Sequence, residues 1–124
     1  MRQIEVVRSG ERVVSAADAT SGMVREEAFA GAGIWAGLVR TAAERSSGWH
    51  HHGEYDTYIY VVSGRLSFEF GPGGSQQVEA GPGDFVHVPK NLVHREANPD
   101  SEEGVLIGVR AGTGPAVVNV DGPE

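Results

Sequence analysis

Residues 55–70 read Tyr55-Asp56-Thr57-Tyr58-Ile59-Tyr60-Val61-Val62-Ser63-Gly64-Arg65-Leu66-Ser67-Phe68-Glu69-Phe70, and Gly71-Pro72-Gly73-Gly74 follows at once. Aromatic and β-branched residues in two runs, parted by Ser63-Gly64 and closed by a Gly/Pro cluster, carry the signature of two short strands. The step from Tyr55–Val62 through Ser63-Gly64 into Arg65–Phe70 predicts a hairpin. The same punctuation recurs at Gly81-Pro82-Gly83-Asp84. Followed outward in both directions, it divides the chain into strands at about 3–8, 11–15, 24–29, 33–41, 48–52, 55–63, 65–70, 75–80, 84–89, 92–98, 103–110 and 116–120. A 3.6-residue period is almost absent. The one helical stretch, Ala16–Ser21, is too short to stand without tertiary support. Many short strands at regular spacing predict an all-β sandwich or barrel.

Composition narrows the function. The 124 residues suffice for one domain with one core. Hydrophobic residues at 40% and charged residues at 22% exclude a disordered chain, and no apolar run is long enough to span a bilayer. Ten basic against 17 acidic residues give a net charge of -7, and Lys90 is the single lysine, which disfavours nucleic acid and anionic membrane as partners. The start Met1-Arg2-Gln3-Ile4-Glu5 lacks the features of a signal peptide, so the expected compartment is the cytoplasm. The 18 glycines sit between strands as turn formers and do not form a low-complexity tract. With no cysteine in the chain, any metal must be held by nitrogen and oxygen.

The histidines carry the chemistry. His50, His51 and His52 are consecutive, and His87 and His94 follow. On a strand, side chains alternate between faces, so His50 and His52 point the same way and can grip one ion while His51 points to the opposite face.

The spacing around these residues resembles that of the cupin superfamily. His94 closes a run in which Gly83, Pro89, His94 and Asn98 fall on the spacing of the family's second motif, with Asn91 in place of its second glycine. Asparagine is a residue that still adopts a left-handed backbone. In the first motif His50, His52 and Gly64 match, Tyr60-Val61-Val62-Ser63-Gly64 resembles the usual strand ending, and Glu44 stands in the opening glycine slot. The family's glutamate slot, counted back from Gly64, holds Thr57, and Asp56 is its neighbour. The resemblance covers about residues 35–110. It implies a double-stranded β-helix, the jelly-roll barrel, with N-terminal strands over 1–34 packing on the barrel or on a partner chain and a C-terminal strand or tail over 111–124. It also implies one divalent metal, Fe, Mn, Ni or Zn, held by His50, His52 and His94.

Asp56 is the expected fourth ligand, because a carboxylate offers charge and two oxygens where the hydroxyl of Thr57 is neutral. Strand register favours Thr57, and Asp56 reaches the metal only if a turn at Gly53-Glu54 or a bulge resets the strand; without it, three histidines and solvent remain. Glu96 shares the His94 face by alternation and is the first candidate for a catalytic acid or base. His87 is expected to be packed or hydrogen-bonded, Glu54 solvated, and Trp35, Trp49, Tyr58 and Tyr60 core residues with polar tips at the rim. Arg40 and Arg95 are candidates to hold an acidic substrate, although Arg95 follows His94 and should face away. The expected function is a small metal-binding cupin that binds a compact organic ligand, with oxidation or isomerisation as the reaction, or else a non-catalytic binding module. A homodimer is expected from the apolar Ile4-Glu5-Val6-Val7 stretch and the exposed sheet edges of so small a barrel.

Overall fold

The computed structural model describes residues 2–15 and 20–124. The helix expected at Ala16–Ser21 falls mainly on residues outside this description; Thr20 forms an isolated bridge to Met23. Twelve strands are described: β1 Val13–Val14, β2 Met23–Gly31, β3 Ile34–Thr41, β4 Arg45–Ser46, β5 His50–His51, β6 Asp56–Ser63, β7 Leu66–Phe70, β8 Gln76–Ala80, β9 Phe85–Val88, β10 His94–Asn98, β11 Gly104–Ala111 and β12 Val118–Asn119. Among the described residues there is no α-helix, only short 3-10 turns at Ser9–Glu11 and Pro72–Gly74.

All strand pairs are antiparallel. One sheet runs β1-β2-β3-β11-β6-β9, and the facing sheet runs β12-β5-β10-β7-β8 with β4 also on β10. Sequence neighbours such as β10 and β11 thus lie in opposite sheets, which is the winding of a double-stranded β-helix. The core fills the space between the inner faces. Trp35, Val39, Ile59, Val61, Val88 and Leu106 come from the first sheet, and Leu66, Phe68 and Ala80 from the second. Alternation along β6 shows why: Thr57, Ile59 and Val61 are buried while Tyr58, Tyr60 and Val62 are exposed.

Three expectations change. Residues 55–63 and 65–70 do form strands, but they are not a hairpin. β6 pairs with β11 and β9, whereas β7 pairs with β10 and β8. Ser63-Gly64 is a corner between sheets, with Gly64 at φ +81° and so close to β11 that a Cβ there would lie 2.9 Å from the Gly104 Cα. Residues 3–8 form no strand: among the described residues this segment pairs with no other strand, and Ile4 is 95% exposed. Tyr58 and Tyr60 are exposed on the outer face of the first sheet, where Tyr58 stacks on His87 and Tyr60 packs on Phe85 across β6 and β9.

Two residues standing in glycine slots take the backbone those slots need. Asn91 has φ +61° and Glu44 φ +54°. Asn98, the last residue of the second motif, is structural: its Nδ2 donates to the carbonyls of Thr41 and Glu102, and its Oδ1 accepts from the Asp100 N–H. It ties the end of β10 to the start of β11 and so fixes the strand that carries His94.

Candidate metal centre

His50 on β5 pairs directly with His94 on β10, so two imidazoles start side by side on neighbouring strands. His52, just beyond β5, returns to the same face after the outward His51, as the period of two requires. Glu96 lies two residues past His94 on β10 and joins them from the same face. All four side chains are buried, and one ligating atom from each lies within 4.8 Å of the others. The rings pack at centroid distances of 5.2 Å, 4.3 Å and 5.1 Å for the pairs His50–His52, His50–His94 and His52–His94.

Backbone carbonyls orient each ring. Nδ1 of His50 lies 2.9 Å from the Gly48 carbonyl oxygen, Nδ1 of His52 2.9 Å from that of Ala116, and Nδ1 of His94 2.9 Å from that of Leu92. A carbonyl only accepts, so in each case Nδ1 carries the hydrogen, and in the neutral ring Nε2 is left as a bare lone pair. Nε2 of His94 is 3.2 Å from Glu96 Oε1, and Nε2 of His50 is 3.9 Å from the same oxygen. Nε2 of His50 and Oε2 of Glu96 are buried without a hydrogen-bond partner. Lone pairs converging on a carboxylate in a buried space require a cation between them, and a proton or a metal ion meets that need. Three imidazole nitrogens and a carboxylate oxygen suit a borderline divalent metal, so the residues present fit one.

Burial dominates the proton affinities. It pushes His50 down to about 4 and His52 to about 3, with Glu96 opposing the shift and the neighbouring histidines adding to it. For Glu96, burial acts upward but is outweighed by the contact with Nε2 of His94 and by the neighbouring His50 and His52, and the carboxyl is held at about 2. Neutral imidazoles beside an ionised carboxylate are the protonation states a metal needs.

The structure does not bring Asp56 into this cluster. As the first residue of β6 it points to the outer face with Tyr58, is 36% exposed, and its Oδ1 accepts from His87 Nε2 at 2.9 Å and from the Lys90 N–H at 3.3 Å. No bulge resets the strand between Asp56 and Tyr60, so the register argument for Thr57 prevails, and Thr57 is the buried residue at that slot. The carboxylate in the cluster comes instead from β10.

The other candidates lie elsewhere. His87 is hydrogen-bonded to Asp56 on the outside, Glu54 accepts from Asn91 Nδ2, and Arg95 donates twice to Glu69 while stacking on Trp49. Arg40 is spent on surface ion pairs with Glu26 and Glu103. Trp35 is in the core and lines a cavity of about 30 Å³ together with His52, Thr57, Glu96, Arg25 and Arg110. Arg25 and Arg110 were not among the expected candidates. The alternation Leu106, Gly108, Arg110 on β11 is the signal that would have found the second of them.

The cupin domain profile matches residues 37–110. Comparison with curated protein sequences gives no match. Among solved structures, the chain is similar to the polyketide cyclase RemF of Streptomyces resistomycificus, with a TM-score of 0.76, 17% identity, and 95% of this chain and 86% of that one covered. It is also similar to a conserved double-stranded β-helix protein of Klebsiella pneumoniae, with a TM-score of 0.70, 15% identity and coverages of 82% and 86%. Oxalate decarboxylase of Bacillus subtilis matches at a TM-score of 0.69 and 20% identity over 83% of this chain, which spans only 29% of that protein. At these identities the likeness is one of fold. The profile match over more than half of the chain, together with the two-sheet winding, shows that this chain belongs to the cupin domain family.

Proposed function

We propose that the protein binds one divalent transition metal ion through Nε2 of His50, His52 and His94 and a carboxylate oxygen of Glu96, and acts on a compact organic ligand held in the adjoining cavity, by oxidation or isomerisation. The observation that carries this reading is the orientation of the rings: three Nδ1 atoms engaged by carbonyls, with Nε2 of His50 and Oε2 of Glu96 buried and unpartnered in the space the ligating atoms enclose. A bound divalent metal supplies Lewis acidity and open coordination positions. The chain itself fixes the imidazoles through backbone carbonyls and excludes water by burying all four side chains.

Nitrogen-rich donors with one carboxylate suit Fe, Mn, Ni and Zn alike, and Mn is the first to try because the structurally similar oxalate decarboxylase has Mn(II) centres. The proposal includes a homodimer. Phe85 is 81% exposed beside Tyr58, Tyr60 and Ile107 on the outer sheet face, an apolar patch that a second copy would cover.

Elemental analysis of protein purified without added metal, with His94→Ala in parallel, tests the metal reading. About one metal per chain is expected in the parent and none in the variant; equal content in both overturns it. Sedimentation equilibrium tests the dimer, which a concentration-independent monomer mass overturns.

A further inference from the structure

The three imidazoles are not held alike. His50 and His94 are oriented by carbonyls two residues back in their own segments, those of Gly48 and Leu92, whereas the carbonyl that orients His52 belongs to Ala116, 64 residues further on. The same carbonyl accepts from Nη1 of Arg110 at 3.4 Å. The inward aim of Nε2 of His52 therefore depends on where residues 112–124 lie.

This segment leaves β11 in the first sheet and crosses to the edge of the second, where β12 pairs with the strand that carries His50. Val118 stands opposite His51, and Asn119 opposite His50. The Val120 N–H donates to the Trp49 carbonyl at 2.9 Å, and the Gly73 N–H donates to a backbone oxygen of Glu124 at 2.8 Å. The Pro115 carbonyl passes so close to Gly53 that a Cβ there would lie 2.6 Å from it. Yet β12 is two residues long, and none of residues 112–124 is buried. A segment held by backbone hydrogen bonds near solvent, with no side chain in the core, opens at much lower cost than the core strands. The cluster it borders is the opposite case. His50, His52, His94 and Glu96 are each at most 4% exposed, and the cavity beside them measures about 30 Å³. A solute reaches so closed a cluster only when a bordering element moves.

We infer that residues 112–124 are a strap: docked, its Ala116 carbonyl positions His52 in the cluster, and released from β5, it opens the route by which a divalent metal ion enters and leaves. The ion's part rests on the metal reading above. The hold on His52 stands without it.

The chain has no cysteine, so His51→Cys combined with Val118→Cys supplies the only two thiols, directly opposite each other at a spacing a disulfide spans, and oxidation locks the strap. Val120→Pro acts the other way, by removing the N–H that bonds to Trp49. In metal-free protein at neutral pH, diethyl pyrocarbonate should modify His52 about tenfold more slowly in the oxidised pair than in the reduced pair, and faster in Val120→Pro than in the parent, read by mass spectrometry. His87, exposed on the outer face, should react alike in all of them. Ring-nitrogen NMR should find the His52 hydrogen on Nδ1 in the oxidised pair and shared between the two nitrogens in Val120→Pro, while His50 and His94 keep theirs on Nδ1. A chelator should extract Mn(II) about tenfold more slowly from the oxidised pair than from the reduced pair. Equal modification of His52 in the two redox forms, or a His52 tautomer unmoved by Val120→Pro, overturns the strap. Locking that shields His52 in protein that never holds metal upholds the strap and sinks the metal reading; bound metal extracted at one rate from both redox forms does the reverse.

Discussion

Glu96 Oε1 lies 3.2 Å from Nε2 of His94, two residues back on the same strand, and both side chains are buried. With Nδ1 of His94 already directed at the Leu92 carbonyl, that short approach joins two atoms that in a neutral ring and an ionised carboxylate are both acceptors. The contact is the strongest reason to read the cluster as a cation site. In that reading the chain does without a carboxylate at position 57. A period of two places residue 96 on the inner face by the same rule that places residue 94 there, so one strand supplies both an imidazole and an oxygen.

Metal content should follow ring orientation and not the number of histidines. His50→Ala, His52→Ala and His94→Ala are each expected to reduce bound metal from about one per chain to near none. His51→Ala should retain it, because His51 points outward and its Nδ1 accepts from the Gly53 N–H. Plasma emission analysis after dialysis checks this, and equal loss from His51→Ala would refute the two-face arrangement.

Stability of the metal-free protein should fall on mild acidification. Burial holds His50 near 4 and His52 near 3 in the folded chain, against 6.5 as the ordinary value. The unfolded chain takes up these protons as pH drops through 6.5 while the folded chain does not, so stability is complete above 6.5 and declines as pH falls toward 4 and 3. The loss is roughly 2 kcal/mol for each ring at pH 5. Glu96 acts in the same sense lower down: its contribution is present above 4.5 and fades as pH approaches 2. Urea denaturation of chelator-treated protein at pH 7.5, 6 and 5 should show a falling midpoint, and a flat response would contradict neutral burial of these rings.

The fold was legible in the sequence because turn residues and alternation are local signals. Strands from Met23–Gly31 through Gly104–Ala111 follow the Gly/Pro punctuation closely, with only the two-residue β4 unforeseen. Which strands pair is a non-local matter, and there the reading of Ser63-Gly64 as a hairpin failed: a Gly corner between sheets and a hairpin turn look alike from sequence. Spacing singled out His50, His52 and His94 as candidate ligands, and the structure brings them together; the parity of β10 put Glu96 on the His94 face, where it was expected as an acid or base and not as a ligand. Asp56 was favoured on chemistry against register, and register prevailed in its position. Arg25 and Arg110 were missed, although the alternation along β11 puts Arg110 on the inner face with Leu106 and Gly108.

The Gly64 corner gives a test of the topology. A side chain at φ +81° is strained, and the added Cβ would meet the Gly104 backbone at 2.9 Å. Gly64→Ala should cost about 1–3 kcal/mol by thermal or urea unfolding. Gly10→Ala, where a Cβ meets nothing within 4 Å, should change stability little. Equal effects from the two would mean that the chain does not pass so close to β11.

The source of the fourth ligand separates Glu96 from Asp56. Glu96 is buried within reach of two Nε2 atoms and has one oxygen without a partner, whereas both contacts of Asp56, to His87 and to the Lys90 N–H, lie on the outer face. Its carboxyl is held below the ordinary range mainly by the His87 hydrogen bond, which is a surface interaction of little weight for stability. Glu96→Gln keeps the shape and removes the charge, and it should weaken metal binding by about tenfold or more, since a neutral amide oxygen is a poorer donor to a borderline divalent ion than a carboxylate. Asp56→Asn should leave metal affinity unchanged. Thr57→Val should likewise leave it unchanged. Competition with a chromophoric chelator measures all three. If Asp56→Asn weakened binding and Glu96→Gln did not, the carboxylate on β10 would be a proton carrier beside a three-histidine site, and the metal would draw its oxygen from solvent or from the ligand itself.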